Sequence, residues 1–317
     1  MSGGVNRMMA DSLDILVDYV ESNLHPIGSV LANPCRREIL RRLFSPGTQD
    51  DLFRNPLDDS LDWLAERVAD KKGIYMRWKQ KVDGKERQLS FPSEPLQVFL
   101  GSYLKPFIEK QEVHESCHGG VNGWSPRASL ESHLPMVSAL SFDMKRASQN
   151  IPAWKIFSFF YNSLSDIECY DVRRDLAGFL TFVTTVRYDQ QRGLPDGSSL
   201  SPVLFNRVMH EVDDDMFRAA SERGMRYSRW IDDFTISSSE RTDVREFLGA
   251  VDLLGGRYPV ARDKVYFQDM EPIYLLGHKV VNGRVLRNSR EERIKYKATP
   301  LDYNGWFNGE RIYESWN

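Results

Sequence analysis

The chain has 317 residues, 41% hydrophobic and 12% aromatic, enough to bury a core in one large domain or in two to three small ones. A net charge of −3 and a pI near 6.1 argue weakly against nucleic-acid binding, and no apolar run or N-terminal segment indicates membrane insertion or export. The cysteines Cys35, Cys117 and Cys169 have no CxxC spacing, so neither a zinc site nor a disulfide framework is indicated and a reduced cytoplasmic protein is expected.

Charge is unevenly distributed along the chain. Residues 71–110 contain nine basic and four acidic side chains, and residues 277–298 contain seven basic and two acidic ones. A charged stretch is most often a solvated surface. The two basic stretches gain interest only because they flank the carboxylates described below.

The first part of the chain alternates between helical and strand patterns. Residues 1–70 have apolar side chains at helical spacing, at positions 13–20 and again at 39–44. Strands at 74–79 and 87–91 enclose Asp83-Gly84, a sequence typical of a β-hairpin turn. A helix is predicted over 95–108, a strand over 137–142, and further helices over 152–164 and 172–183.

The second part predicts one long helix over 199–223, stopped by Gly224. Strands are predicted at 225–230 and 234–237, then at 264–267, 273–281 and 284–286. Because helices and strands are mixed without regular βαβ alternation, the pattern favours an α+β fold over a doubly wound one.

Acidic side chains mark the ends of two predicted strands. Asp232 and Asp233 lie at the tip of the hairpin between residues 225 and 237, and Asp143 ends the strand 137–142. A turn of two adjacent carboxylates is unfavourable unless a divalent cation binds there. Two strands that bring carboxylates to one end of a sheet indicate a two-metal site for in-line displacement at phosphorus.

A loop rich in small residues lies between these strands, at residues 192–206. Its glycines, serines and prolines lead into the predicted helix, and backbone N–H groups at a helix N-terminus favour anionic ligands. By itself such a loop is more often an ordinary capped connection. Its place between the two carboxylate motifs favours a nucleotide-binding role.

These segments together resemble a known family. Asp143, the loop Gly193-Leu-Pro-x-Gly-x-x-x-Ser201-Pro and the pair Asp232-Asp233 follow the order of the A, B and C motifs of bacterial reverse transcriptases, the retron, group II intron and phage-defence enzymes. Residues 85–92 resemble their fingers motif, and residues 274–283 the motif before the thumb. The resemblance spans residues 75–296.

The resemblance implies a right-hand polymerase with fingers, palm and a reduced thumb. The expected domains are a helical N-terminal extension (1–70), fingers (71–135), palm (136–283, with fingers helices within 152–190) and a short thumb or tail (284–317). One helix at 289–298 and an aromatic tail are expected after the palm. A thumb this short would grip duplex poorly, which implies an oligomer or a partner protein.

It also implies roles for individual residues. Asp143 and Asp232 would hold two Mg²⁺ ions, with Mn²⁺ as a substitute, and Asp233 would support them. Lys264 would protonate the leaving pyrophosphate, although a surface lysine on a strand is an equally good interpretation. The expected nucleotide-binding residues are Arg87, Lys79, Ser148, Gly193, Pro195, Asp196, Gly197 and Ser201.

Three positions differ from the family pattern. Ser148 stands where an aromatic ring usually excludes a ribose 2′-OH, and Asp196 stands where the loop usually has Gln. The bulkier pair Trp230-Ile231 precedes the two aspartates where the family usually has Tyr or Phe followed by a small residue. These differences indicate weak exclusion of ribonucleotides and unusual template or substrate handling.

The resemblance therefore implies an RNA-directed DNA polymerase with an RNA template (a structured non-coding RNA), dNTP substrates and a DNA product, in anti-phage defence or a retron-like element. The alternatives are a template-independent or protein-primed polymerase, and a catalytically silent scaffold that binds nucleic acid. The run Asp213-Asp214-Asp215 is interpreted as a solvated helix face. His118 and His133 are expected in a loop or the core.

Overall fold

The computed structural model describes residues 27–44, 56–69, 73–82, 85–188 and 191–289. The described residues divide into two compact units that alternate along the chain. The first unit draws on the described residues within Met1–Glu112 and Ile151–Val208, and the second on those within Val113–Asn150 and Met209–Asn317. Each unit combines two separated segments, whereas the domains expected from the sequence are consecutive ranges. The expected domain limits stay a prediction.

The helices in the described ranges are, in chain order, α1 (Ile27–Ala32), α2 (Pro34–Phe44), α3 (Pro56–Ala69), α4 (Glu94–Val98), α5 (Lys105–Glu109), α6 (Pro126–Glu131), α7 (Ala147–Asn150), α8 (Ala153–Ser163), α9 (Tyr170–Thr184), α10 (Ser201–Val208), α11 (His210–Ser221) and α12 (Val244–Gly255). A π-helical segment, Phe99–Leu104, joins α4 to α5, and a 3₁₀ turn covers Arg262–Lys264.

The strands are β1 (Tyr75–Val82), β2 (Lys85–Pro92), β3 (Ser138–Asp143), β4 (Val186–Arg187), β5 (Arg192–Gly193), β6 (Arg226–Trp230), β7 (Asp233–Ser238), β8 (Tyr266–Gln268), β9 (Ile273–Leu275), β10 (His278–Val281) and β11 (Arg284–Arg287). Their pairings within the described chain are all antiparallel, in the orders β1-β2, β4-β5, β6-β7-β3-β8 and β11-β10-β9.

The first unit packs helices beside the β1–β2 hairpin. Val82 pairs with Lys85, which confirms the predicted hairpin, while its Asp83-Gly84 turn lies outside the described residues. The apolar pattern at 39–44 becomes the buried face of α2, and Phe44 contacts Phe99 edge-on at 5.7 Å between ring centroids. The pattern at 13–20 lies outside the described residues.

The second unit is built on the β6-β7-β3-β8 sheet. Phe142 of β3 and Phe234 of β7 stack at 5.1 Å between centroids and are both fully buried. A second cluster, in which Leu130 of α6 packs with Met136 and Ile273, anchors the β9–β11 sheet. Antiparallel sheets with segregated helices confirm the predicted α+β class.

The predicted long helix over 199–223 is wrong in one respect, because two helices cover it. α10 ends at Val208 and α11 begins at His210, with Met209 at φ −84° and ψ 0° between them. The division between the two units falls at this point, so packing within each unit overrides the continuous apolar periodicity. Gly224, at φ +66°, follows the last turn as predicted.

Two later predictions are also corrected. The single strand expected over 273–281 is a hairpin, because Leu276 (φ +48°) and Gly277 (φ +73°) form a turn between β9 and β10. Lys264 lies at the end of a 3₁₀ turn and not on a strand. The expected thumb helix and the aromatic tail lie outside the described residues, apart from Ser289.

The buried histidines have structural roles in the second unit, as expected. His133 bonds the hydroxyls of Ser237 and Ser228, both at 2.7 Å, and burial lowers its pKa to about 3. His118 contacts the Ser129 hydroxyl at 2.9 Å and stacks on Trp124. These neutral rings join segments of the core.

Among the described residues, no helix is long and apolar enough to span a bilayer.

Candidate active site

The β6–β7 hairpin ends in a tight and strained turn. Trp230 pairs with Asp233, so Ile231 and Asp232 form the whole loop. Ile231 has φ +59°, a left-handed conformation that a β-branched side chain disfavours at a cost of about 1–3 kcal/mol. The turn places Asp232 at the tip and Asp233 at the start of β7.

Strand pairing brings Asp143 to the same place. Asp143 is the direct cross-strand partner of Asp233, an arrangement that sets two Cα atoms about 4.5–5.5 Å apart with both side chains on one face. The backbone N–H of Met144 donates to the carbonyl of Asp232 at 3.1 Å. The structure therefore brings together the three aspartates that the sequence selected.

Lys264 joins this group from the 3₁₀ turn. Its ammonium group donates a hydrogen bond to Oδ2 of Asp143. The carbonyl of Asp143 accepts from the N–H of Ala261 at 2.8 Å, and Lys264 N–H donates to the carbonyl of Ala261, also at 2.8 Å. Two backbone hydrogen bonds thus tie the lysine turn to the end of β3.

The three carboxylates oppose one another's ionisation. Burial first, and then the charge of Asp232, raise the pKa of Asp143 to about 6, although Lys264 partly offsets both. Loss of solvent around the carboxyl group, with the charges of Asp143 and Asp232, raises the pKa of Asp233 to about 7, even though the residue keeps an exposed surface. Partial burial acts to lower the pKa of Lys264, but the hydrogen bond to Asp143 and then the negative charge of Asp143 raise it overall. Such a cluster is electrostatically unfavourable unless cations neutralise it.

The chemistry of the cluster suits a divalent cation. Oδ1 of Asp143 is buried and has no hydrogen-bond partner in the described residues. Mg²⁺ prefers carboxylate oxygens and binds through one or two of them together with substrate phosphates and waters. No group of three or more His, Cys, Asp or Glu side chains in the described ranges is arranged to hold a metal ion. The three aspartates are therefore adjacent through strand pairing and the hairpin turn, without forming a ready-made three-ligand cage.

A neighbouring segment presses against the hairpin tip. The N–H groups of His118 and Gly119 donate to the carbonyl of Arg229 at 2.9 and 3.2 Å. A Cβ at Gly119 would lie 2.4 Å from the backbone nitrogen of Ile231 and 2.8 Å from Cα of Trp230. Only glycine fits this close approach of two backbones.

The hairpin has a buried partner that was not predicted from the sequence. Asp213, interpreted as part of a solvated run, is fully buried and accepts two hydrogen bonds from the guanidinium group of Arg229, which is also fully buried. The prediction of a solvated face holds for Asp214, which is exposed, and partly for Asp215, but not for Asp213. A signal was nevertheless present, since Met209, Asp213, Met216 and Ala220 follow the spacing of one helix face.

The residues predicted to bind nucleotide belong mainly to the first unit. Gly193 pairs with Val186 in a short β-ladder, and the Pro195 carbonyl accepts from the Ser201 hydroxyl at 2.7 Å. Ser201 therefore stabilises the loop from within.

Further contacts tie the loop to β2. The N–H of Ser90 donates to the carbonyl of Asp196 at 2.6 Å. Gly197 has φ +109°, and a Cβ there would lie 3.1 Å from the ring of Phe91.

The remaining predicted positions lie on regular elements. Lys79 is exposed on β1, and Arg87 lies on β2 opposite Gln80. Ser148 is half-buried on α7, in the same unit as the three aspartates.

Comparison with known proteins gives a consistent result. The family described as reverse transcriptase (RNA-dependent DNA polymerase) matches residues 80–280. The chain is 24% identical over 201 residues to the retron Se72 reverse transcriptase of Salmonella heidelberg, covering 62% of this chain and 49% of that one. It is also 24% identical over 181 residues to the retron Ec86 reverse transcriptase of Escherichia coli, covering 56% and 53%. The chain thus spans about half the length of these curated relatives.

The fold has a solved counterpart. A telomerase from Candida albicans, solved in complex with a TWJ fragment of telomeric RNA, superposes with a TM-score of 0.50 over 67% of this chain and 45% of that one. The two sequences are 12% identical, so the similarity concerns the fold.

Proposed function

Because this chain belongs to the reverse transcriptase (RNA-dependent DNA polymerase) family, we propose that it adds deoxynucleotides to a primer hydroxyl under the direction of an RNA template. The observation that supports this most is the pairing of Asp143 with Asp233 beside Asp232 at the hairpin tip. Carboxylates that converge from two separate strands are what two-metal phosphoryl chemistry requires.

We propose that Asp143 and Asp232 hold two Mg²⁺ ions and that Asp233 supports them. When bound, the ions would lower the pKa of the primer hydroxyl and neutralise charge on the triphosphate and the leaving pyrophosphate. The unpartnered Oδ1 of Asp143 supports this assignment. Lys264, protonated beside Asp143, would donate a proton to the pyrophosphate.

The nucleotide contacts are proposed from the family motifs. Arg87 and Lys79 would neutralise phosphate charge, and the loop containing Asp196 would contact the nucleotide through its backbone. We propose a structured non-coding RNA as template and a DNA product, in an anti-phage or retron-like system. An oligomer or partner protein is a further proposal, which light scattering of the chain with and without RNA tests.

A primer-extension assay tests the proposed function. The purified chain is given a mixed-sequence RNA annealed to a DNA primer, four dNTPs and Mg²⁺, and the product is sequenced. DNA complementary to the RNA is expected. Extension that persists without template would indicate a terminal transferase, and RNA binding without any extension would indicate a scaffold. Either outcome would overturn the proposal.

We propose that Ser148 sets how strongly ribonucleotides are excluded. Its small side chain leaves room for a 2′-OH, so we expect ATP and dATP to be used within about tenfold of each other. Ser148→Phe should raise the preference for dATP by roughly 10²-fold, the discrimination that an apolar pocket typically achieves against an added hydroxyl. Single-turnover incorporation of each nucleotide measures this ratio.

Gln149→Phe is the matched control, because it places the same ring one position along α7. It should leave the ratio unchanged. Strong preference for dATP in the native chain, or an equal effect of Phe at position 149, would contradict the role given to Ser148.

Two substitutions distinguish proton donation by Lys264 from the effect of its positive charge. If it donates a proton, both Lys264→Ala and Lys264→Arg should lower the maximal rate by about 10²-fold, because arginine keeps the charge beside Asp143 but does not release a proton. The fall in rate at alkaline pH, where the lysine deprotonates, should also disappear. Arg262→Ala in the same turn is the control. Full activity of Lys264→Arg would show that charge alone matters.

A further inference from the structure

The aspartate turn is held by a buried ion pair between Arg229 and Asp213. The guanidinium group of Arg229 uses Nε and Nη2 to donate to the two oxygens of Asp213, at 2.7 and 2.6 Å. Both side chains have no exposed surface. Asp213 comes from α11 and Arg229 from β6, so the pair fastens the strand to the helix behind it.

A third hydrogen bond leads directly to the turn. Nη1 of Arg229 donates to the carbonyl of Ile231 at 2.6 Å. Ile231 is the residue in the left-handed conformation, and Asp232 follows it. The guanidinium group therefore holds the peptide that sets the direction in which the Asp232 side chain leaves the backbone.

The surroundings keep this guanidinium group in one place. The hydroxyl of Tyr227 donates to Oδ1 of Asp213 at 2.6 Å, which adds a third bond to that carboxylate. The backbone N–H of Arg229 donates to the carbonyl of Ser116 at 2.8 Å. The ion pair is thus held by hydrogen bonds that involve α11, β6 and the segment that contains Ser116.

A role in stability alone does not account for this geometry. Buried ion pairs are often replaceable by apolar side chains of similar size, since desolvation offsets most of their attraction. An apolar pair would fill the same space between α11 and β6. It would not supply a donor to the carbonyl of Ile231, which is the contact by which this ion pair reaches the turn.

We infer that Arg229, oriented by Asp213, is a positioning residue for the divalent-cation site: it holds Ile231 in its strained conformation and so keeps Asp232 directed at the cation that Asp143 shares. The inference rests on the proposed function, since it assumes that Asp232 binds a cation. It adds a residue that touches neither metal nor substrate and acts through the backbone of the turn.

Mn²⁺ binding to the full chain, followed by electron paramagnetic resonance without nucleotide or template, tests the inference. Arg229→Lys keeps the positive charge but replaces the planar guanidinium fork with a single ammonium nitrogen, which does not reproduce the bidentate bond to Asp213 together with the bond to Ile231. Loss of a group that orients a metal ligand lowers metal affinity by about 10–100-fold, and that is the expected shift. Adding Ile231→Gly, which accepts φ near +59° without strain, should restore part of the lost affinity.

Two further variants guard against unfolding and general weakening. Arg36→Lys alters a comparable ion pair, with the buried Asp175 in the first unit, and should leave Mn²⁺ affinity unchanged. Tyr227→Phe removes only one bond to Asp213 and should shift affinity in the same direction by less. If Arg229→Lys does not fold, the Tyr227→Phe result decides the inference.

The outcomes distinguish a failure of the positioning role of Arg229 from a failure of the proposed metal site. If Asp232→Asn weakens Mn²⁺ binding but a folded Arg229→Lys does not, the positioning role is overturned and the metal site stands. The role is likewise overturned if Arg229→Lys fails to fold and Tyr227→Phe binds Mn²⁺ normally. If Asp232→Asn binds Mn²⁺ as tightly as the native chain, the proposed metal site is overturned, and the inference with it.

Discussion

Asp232→Asn is expected to lower nucleotide incorporation by at least about 10³-fold, the loss that follows when roughly 4 kcal/mol of metal-dependent transition-state stabilisation is removed. Asparagine has the shape of aspartate, so the turn keeps its geometry. What it lacks is the negative charge and the second oxygen acceptor with which Asp232 would complete the cation site beside Asp143. Primer extension at saturating dNTP and Mg²⁺ measures the effect.

The same variant should fold normally, which distinguishes lost chemistry from lost structure. Like-charge repulsion contributes to the raised pKa values of Asp143 and Asp233, so removing the charge of Asp232 should leave the melting temperature of the metal-free chain unchanged or higher. Asp269→Asn, which alters an exposed ion pair with Arg241, is the control for both measurements. Substantial activity in Asp232→Asn would contradict the assigned role.

Gly119→Ala is expected to have the second large effect, on both activity and stability. The added Cβ would lie 2.4 Å from a backbone nitrogen of the turn, a contact that no side-chain rotation relieves. Either the hairpin tip or the segment beside it must move. A displacement of about 1 Å at a catalytic group costs on the order of 10²-fold in rate, so activity should fall at least that far. Overpacking should also lower the free energy of unfolding by about 1–3 kcal/mol.

Gly178→Ala is the matched control for this substitution. Gly178 lies within α9, and a Cβ there would meet no described atom within 4 Å outside the backbone of its own helix. Alanine is the better helix former, so stability should be equal or slightly higher. A Gly119→Ala chain with native rate and melting temperature would show that the turn is not packed this tightly.

The sequence was most informative where local patterns decide the structure. The hairpin before and after the aspartate pair follows from strand periodicity, and the Asp83-Gly84 hairpin follows from its turn residues. The convergence of Asp143 with Asp233 could be anticipated because each aspartate ends or begins a predicted strand. What periodicity could not supply was the register of β3 on β7, which sets the two side chains directly opposite each other.

The errors arose where tertiary packing decides. Nothing near Met209 breaks the apolar pattern, and the interruption of the helix coincides with the division between the two compact units. Asp213 looked solvated because its partner, Arg229, follows 16 positions later on another element. The left-handed conformation of Ile231 also had no signal, since a β-branched residue is a poor candidate for it.

Anomalous diffraction from Mn²⁺-soaked crystals of the chain tests the central claim most directly. A Mn²⁺ peak is expected about 2 Å from carboxylate oxygens of both Asp143 and Asp232, with the Lys264 ammonium moved off Oδ2 of Asp143 or the ion bound to the unpartnered Oδ1 of Asp143. Mn²⁺ that binds elsewhere, while these two carboxylates stay unligated, would contradict it.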